Sequence, residues 1–184
     1  YETRTKVWSI PAADAMHRIA FSPDGSLLAA STLRAEVMVW DINEQKLLKS
    51  WFATDNSNSS LIGPMFLPDG SGFITSQAGG SGALTKWNAR TGERLSQTGG
   101  GISLKTHTVA FSSDGRLLAS SSGSPGASIG QWITLLDARS GLARGVFPGH
   151  QTIALAFSPK GDRLFSAGGY PFLVRWDTNA PMLK

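Results

Sequence analysis

Apolar residues in this chain fall into short runs separated by Gly, Pro, Asp and Ser, and the runs recur with a fixed period. A phenylalanine followed by a tight-turn sequence stands at Phe21 ("FSPDG"), Phe66 ("FLPDG"), Phe111 ("FSSDG") and Phe157 ("FSPKG"), at intervals of 45, 45 and 46 residues. A period in the range of roughly 20–50 residues marks a repeat architecture. Aligned on these phenylalanines, each copy opens with a short apolar strand A: "HRIAF", "IGPMF", "HTVAF" and "IALAF". A strand B follows the turn as "LLAAST", "GFITSQ", "RLLASSS" and "DRLFSAG", with the composition of a strand buried on both faces. Strand C is "EVMVWD", "ALTKWN", "WITLLD" and "FLVRWD", and a more polar outer strand D reads "KLLKSWF", "ERLSQTG" and "LARGVFP". The opening "TRTKVWSI" has the same outer-strand character.

Four strands of about six residues per repeat, short turns and no helical periodicity predict an all-β chain of antiparallel meanders set radially, the profile of a β-propeller. Residues 1–184 then form one domain of four blades, with repeats of approximately 1–44, 45–92, 93–140 and 141–184, each starting with its outer strand. In "SPDG" the proline fixes φ at the first central position, the aspartate bonds local backbone and the glycine takes a positive φ. The phenylalanine closing strand A is expected to wedge between neighbouring blades, where burial contributes about 1.5–3 kcal/mol.

"FSPDG", "LLAAS" and "VMVWD" in succession resemble the WD-repeat β-propeller family. Trp40-Asp41 and Trp176-Asp177 match its name-giving dipeptide, Trp87-Asn88 nearly does, and Leu136-Asp137 keeps the aspartate. The resemblance implies a non-catalytic scaffold that holds a protein or peptide. A sensor or regulatory propeller fused to an enzyme such as a kinase is the alternative, and a catalytic propeller a third reading. Family repeats often add a "GH" before strand A and an aspartate in the B–C turn, which form a hydrogen-bonded tetrad with a strand B Ser or Thr and the strand C Trp. Here only Gly149-His150 supplies "GH", and the B–C turns around Arg34, Gly80, Pro125 and Gly169 hold no aspartate. No repeat has a complete tetrad, which is similar to the looser repeats of bacterial members and shifts the burden onto packing between blades. By the same resemblance His150 is structural.

Composition narrows the chemistry. No stretch approaches the ~20 consecutive apolar residues of a membrane-spanning helix. The chain has no cysteine, so thiolate metal sites are excluded and the compartment stays open, the cytoplasm being the leading expectation. A net charge of +4 comes from scattered Lys and Arg, which argues against nucleic acid. Arg4, Lys6, Lys46, Lys49, Arg94 and Arg144 fall on outer strands, where charge discourages edge pairing. Of 13 acidic residues, Asp24, Asp69, Asp114, Asp162, Asp41, Asp137 and Asp177 belong to turns or strand C ends; of the other six, Asp14, Asp55 and Glu36 could share one face, but nothing equips them with a nucleophile or a metal. The glycines of "GGSG" and "TGGG" follow no strand-to-helix turn, and no phosphate loop or cofactor is expected.

Candidate binding residues lie where the D–A and B–C connections meet on one rim. His17 and His107 are equivalent strand A positions, filled by Ile62 and Ile153 in the other repeats, and too few ligands accompany them for a metal. Arg34, Tyr170 and Phe172 are on the same rim, and arginine and aromatic residues commonly anchor interfaces. Phenylalanine to the motif position spans 19 residues in repeats one and four, 21 in repeat two and 25 in repeat three, the excess falling in 121–131. Starting inside an outer strand, the chain is expected to be an excerpt of a longer one. An open arc of a seven- or eight-bladed ring, completed by further blades of the parent chain, is favoured over a closed ring of four.

Overall fold

The A-to-D order read from the sequence becomes a succession of small antiparallel sheets. A computed structural model describes residues 9–10, 14–54, 61–77, 83–97, 106–122, 132–149, 151–169 and 171–179. Strands β1 (Met16–Phe21), β2 (Leu27–Thr32), β3 (Glu36–Asp41) and β4 (Lys46–Phe52) form the first sheet in that order. The second comprises β5 (Leu61–Phe66), β6 (Phe73–Gln77), β7 (Leu84–Trp87) and β8 (Arg94–Gln97). The third comprises β9 (Thr106–Phe111), β10 (Leu117–Ser122), β11 (Trp132–Asp137) and β12 (Ala143–Pro148). In the fourth, β13 (Thr152–Phe157), β14 (Arg163–Gly168) and β15 (Val174–Asp177) are described. The architecture is all-β, a propeller-like arrangement in which β1, β5, β9 and β13 are innermost and approach one another in sequence order.

Alternation along β6 and β10 sends successive side chains to opposite faces, and both faces are buried because a sheet lies on each side. Leu27, Ala29, Val37 and Val39 of the first sheet pack on Leu61, Phe73, Trp87 and Phe66 of the second, with Trp51 of β4 beside them. Trp51 lies 5.6 Å from Trp87 and 6.0 Å from Phe73 between ring centroids. Leu67, Ile74 and Leu84 meet Leu118, Leu136 and Phe111 at the next junction. Ala119, Ile133 and Leu135 meet Leu164, Phe157 and Trp176 at the last, where Phe147 and Trp176 are 5.2 Å apart. Each sheet thus leads with its strand A phenylalanine and its strand C tryptophan or leucine, and trails with the opposite face.

Phe66, Phe111 and Phe157 therefore fill the wedge expected of them, each against the preceding sheet. Phe21 departs from that expectation and is 58% exposed, since no described sheet precedes its own. Trp40 is nonetheless buried, among Ala30 and Met38 with Ile10 and Leu28 packed on them.

The turns reproduce one geometry four times. Gly25, Gly70, Gly115 and Gly161 have φ of 73°, 69°, 69° and 72°, and each donates its N–H to the carbonyl three residues back at 2.9 Å. The serine of the motif is the hub, a role the turn chemistry alone did not assign. Ser22 Oγ donates to Asp24 Oδ1 at 2.6 Å and accepts the Leu27 N–H at 2.9 Å, and Ser112 repeats this with Asp114 and Leu117 at the same distances. Where repeat four has Lys160 instead of the aspartate, Asp162 accepts from Ser158 Oγ at 2.7 Å.

Candidate partner-binding rim

Backbone bonds tie the B–C turns of the first and fourth sheets to the lead-in of strand A at one end of the sheets. The Leu33 N–H donates to the Ala15 carbonyl at 3.1 Å, and the Gly169 N–H to the Gln151 carbonyl at 3.2 Å. Arg34, with its side chain 74% exposed, adds an ion pair at 3.6 Å between Nε and Asp14 Oδ2. This joins the D–A connection to the B–C turn of the first sheet.

The upper half of every innermost strand is irregular. Pairing slips between Met16 and Arg18 in β1, between Ile62 and Met65 in β5 and between Thr152 and Ala154 in β13. In β9 it slips opposite Ser120 and Ser122. An extra residue in one strand re-aims side chains: His17 and Ile153 are the residues left unpaired in β1 and β13, whereas Ile62 pairs with Ser76 and the extra residue of β5 falls at Gly63–Pro64. His17 is exposed and lines a groove of about 430 Å³ with Arg18, Gly63, Pro64, Met65 and Val109, where β1, β5 and β9 converge. Its equivalent Ile62 is instead buried and Ile153 is 72% exposed, so the four positions do not share one environment. His107 lies in β9, but its side chain is outside the described residues, as are Tyr170, His150 and most of the 121–131 insertion. Among the described residues no group of three His, Asp or Glu is placed to hold a metal.

Phe172 is on this rim and 52% exposed. Sequence reasoning passed over its companions at strand ends of the same rim: Met16, Leu33, Phe52, Trp132 and Ile153 are exposed, Leu33 at 50% and Phe52 at 61%. They looked like ordinary strand residues because exposure at a strand end depends on what the neighbouring loop covers.

The opposite rim carries the carboxylates of the A–B turns and of the strand C ends. Asp41 Oδ1 accepts the N–H groups of Asn43 and Glu44, each at 3.0 Å, and Asp137 Oδ1 those of Arg139 and Ser140. Asp177 Oδ1 accepts the Asn179 N–H at 2.9 Å. The near-match Trp87-Asn88 works equally, since the Asn88 amide oxygen accepts from Arg90 and Thr91 at 3.0 Å. Hydrogen bonds from Ser22 and Ser26 hold the Asp24 carboxyl down to about 2. The Ser140 amide and Arg144 lower Asp137 further, and serine hydroxyls lower Asp69, Asp114 and Asp162. A groove of about 920 Å³ on this rim includes Asp69, Asp114, Asp137, Lys86, Arg116 and Arg144. Larger than the axial groove, it is walled by charges already engaged in turns.

Beneath both rims the strand C tryptophans are anchored sideways. Trp87 Nε1 donates to Thr75 Oγ1 and Trp176 Nε1 to Ser166 Oγ, each at 2.9 Å. These are the Trp and Ser/Thr half of the tetrad. Residues 4–41 and 142–177 match the WD domain, G-beta repeat family model, and both stretches end on a Trp-Asp dipeptide. Those two stretches are WD repeats. WD-repeat propellers in general are protein-interaction scaffolds without catalysis of their own, and the departures from the repeat pattern here are local. Ala30 stands where the Trp40 indole would find its acceptor, and Leu136 replaces the tryptophan that would bond Ser120.

Proposed function

We propose that residues 1–184 act as one WD-repeat segment that recognises a protein or peptide through the rim of the B–C turns and D–A lead-ins. Supporting this reading are the exposed Met16, Leu33 and Phe52 of the first sheet, which also bears Arg34, and the exposed Trp132, Ile153 and Phe172 at the same ends of the third and fourth sheets. Large apolar and aromatic side chains beside an arginine are the composition of an interface centre. Tyr170, His17 and His107 belong to the same proposed surface by position. Carboxylates held low by turn hydrogen bonds are poor general acids, which supports binding over hydrolysis.

The test is capture of native partners by Leu33→Asp, Phe52→Asp and Arg34→Ala variants, each first shown to melt like the parent. Loss of the same partner in at least two variants is expected. Retention of every partner by all three would move the binding surface elsewhere.

A further inference from the structure

The joint between the first and second sheets is not filled along its whole length. A cleft of about 500 Å³ lies between the end of β4 and the face of the second sheet that packs on the first. Pairing sets Thr75, Thr85 and Gln97 in a row across β6, β7 and β8, beside the row of Phe73, Trp87 and Arg94. Residues directly opposite one another, and alternate residues along a strand, share a face. Since Phe73 and Trp87 belong to the core between the two sheets, Thr85, Gln97 and Arg94 are turned toward the same joint. Leu61 and Trp87 give the cleft an apolar wall, and Phe52 of the first sheet, 61% exposed, also lines it.

The polar groups of this cleft are unengaged. Thr85 is only 8% exposed, yet among the described residues its hydroxyl has no hydrogen-bonding partner. Burying a hydroxyl unpaired is unfavourable. The neighbouring Thr75 shows the usual solution, its Oγ1 accepting from the Trp87 indole at 2.9 Å. Arg94 carries the one charge among the described lining residues, and neither its side chain nor that of Gln97 has a partner among the described residues. The larger groove on the aspartate rim differs in this respect, because its carboxylates are held by turn bonds and arginines.

We propose that this cleft binds a small organic carboxylate with an apolar body. The Arg94 guanidinium holds the carboxylate through paired N–H donors. Thr85 and Gln97 hydrogen-bond beside it, and the body lies against Trp87, Leu61 and Phe52. A cleft of roughly 300–1,000 Å³, mainly apolar with a few convergent polar groups, is the usual form of a small-molecule site.

Titration of the 184-residue chain with phenylacetate, followed at the Trp87 indole resonance in proton–nitrogen correlation spectra, tests this. A saturable shift with a dissociation constant of about 1 mM is expected of so small a ligand. Phenethyl alcohol, which keeps the ring and lacks the carboxylate, should bind roughly 10-fold more weakly or worse. Arg94→Ala should bring phenylacetate down to the level of the alcohol. Thr85→Val should weaken phenylacetate roughly 5-fold while leaving the melting temperature unchanged or raised, because the hydroxyl bonds nothing within the chain. Both variants leave Phe52 and the rest of the rim intact, so the outcome is independent of partner capture. No saturable shift, equal binding of the alcohol, or unchanged binding in Arg94→Ala would overturn the proposal. A lowered melting temperature in Thr85→Val would also overturn it, since the hydroxyl would then serve the fold.

Discussion

Ser31 Oγ donates 2.7 Å to the carbonyl of Gly63, binding the second strand of one sheet to the innermost strand of the next. Ser121 makes the same kind of bond to the Thr152 carbonyl at 3.2 Å, whereas the equivalent Ser76 hydroxyl is buried without a partner. Removing a donor from a buried carbonyl costs about 1–3 kcal/mol, while deleting a hydroxyl that bonds nothing does not. Ser31→Ala and Ser121→Ala are therefore expected to lose about 1–3 kcal/mol in urea melts, and Ser76→Ala to be neutral or stabilising. Equal losses at all three positions would contradict the assignment.

The Trp87 indole gives a second comparison. Thr75→Val keeps the shape of the side chain but strands the buried N–H, so a loss of about 1–3 kcal/mol is expected. Ser166→Ala should cost less, because Trp176 is only half-buried. Indole fluorescence in the two variants would report the lost bond directly.

Backbone conformation predicts changes of opposite sign. Gln45 has φ of 53° at the position that Gly92 and Gly141 fill with φ of 71°, so Gln45→Gly should stabilise by about 0.5–1 kcal/mol. Gly72 has φ of 148°, and a Cβ there would collide with the Trp87 carbonyl oxygen. Gly72→Ala should cost about 3 kcal/mol or prevent folding. Thermal melts of the two variants decide both.

Acid should loosen the turns. The carboxyls of Asp24, Asp69, Asp114, Asp137 and Asp162 are all lowered by hydrogen bonds to the folded chain. Their contribution to stability is fully present above the ordinary aspartate pKa of about 3.9 and is lost as pH falls through the folded value, about 2 for Asp24. The melting temperature is expected to drop between about pH 4 and 2, and less steeply in Asp24→Asn. A flat profile across that window would contradict these turn bonds.

Much of this was legible because the period repeats in the sequence. Strand B of the first repeat and strand C of the first and third have the bounds their apolar runs suggest, Leu27–Thr32, Glu36–Asp41 and Trp132–Asp137. The bulges near His17 were not legible, since an extra residue in a short strand leaves no trace in apolar alternation. Nor was the exposure of Phe21, whose sequence context is that of Phe157: burial at a junction belongs to the neighbouring sheet as much as to the residue. The rim was legible as a place through Arg34 and Phe172, but Leu33 and Phe52 emerged only once the strand ends were located.

The central claim is that this WD-repeat segment binds a protein through the rim bearing Leu33, away from the turns that carry its aspartates. A photo-crosslinking residue at position 33, with a matched one at the exposed Leu142 of the opposite rim, tests it in native extract. The account predicts a discrete, competable protein adduct from position 33 and none from position 142. Adducts from position 142 alone would contradict it.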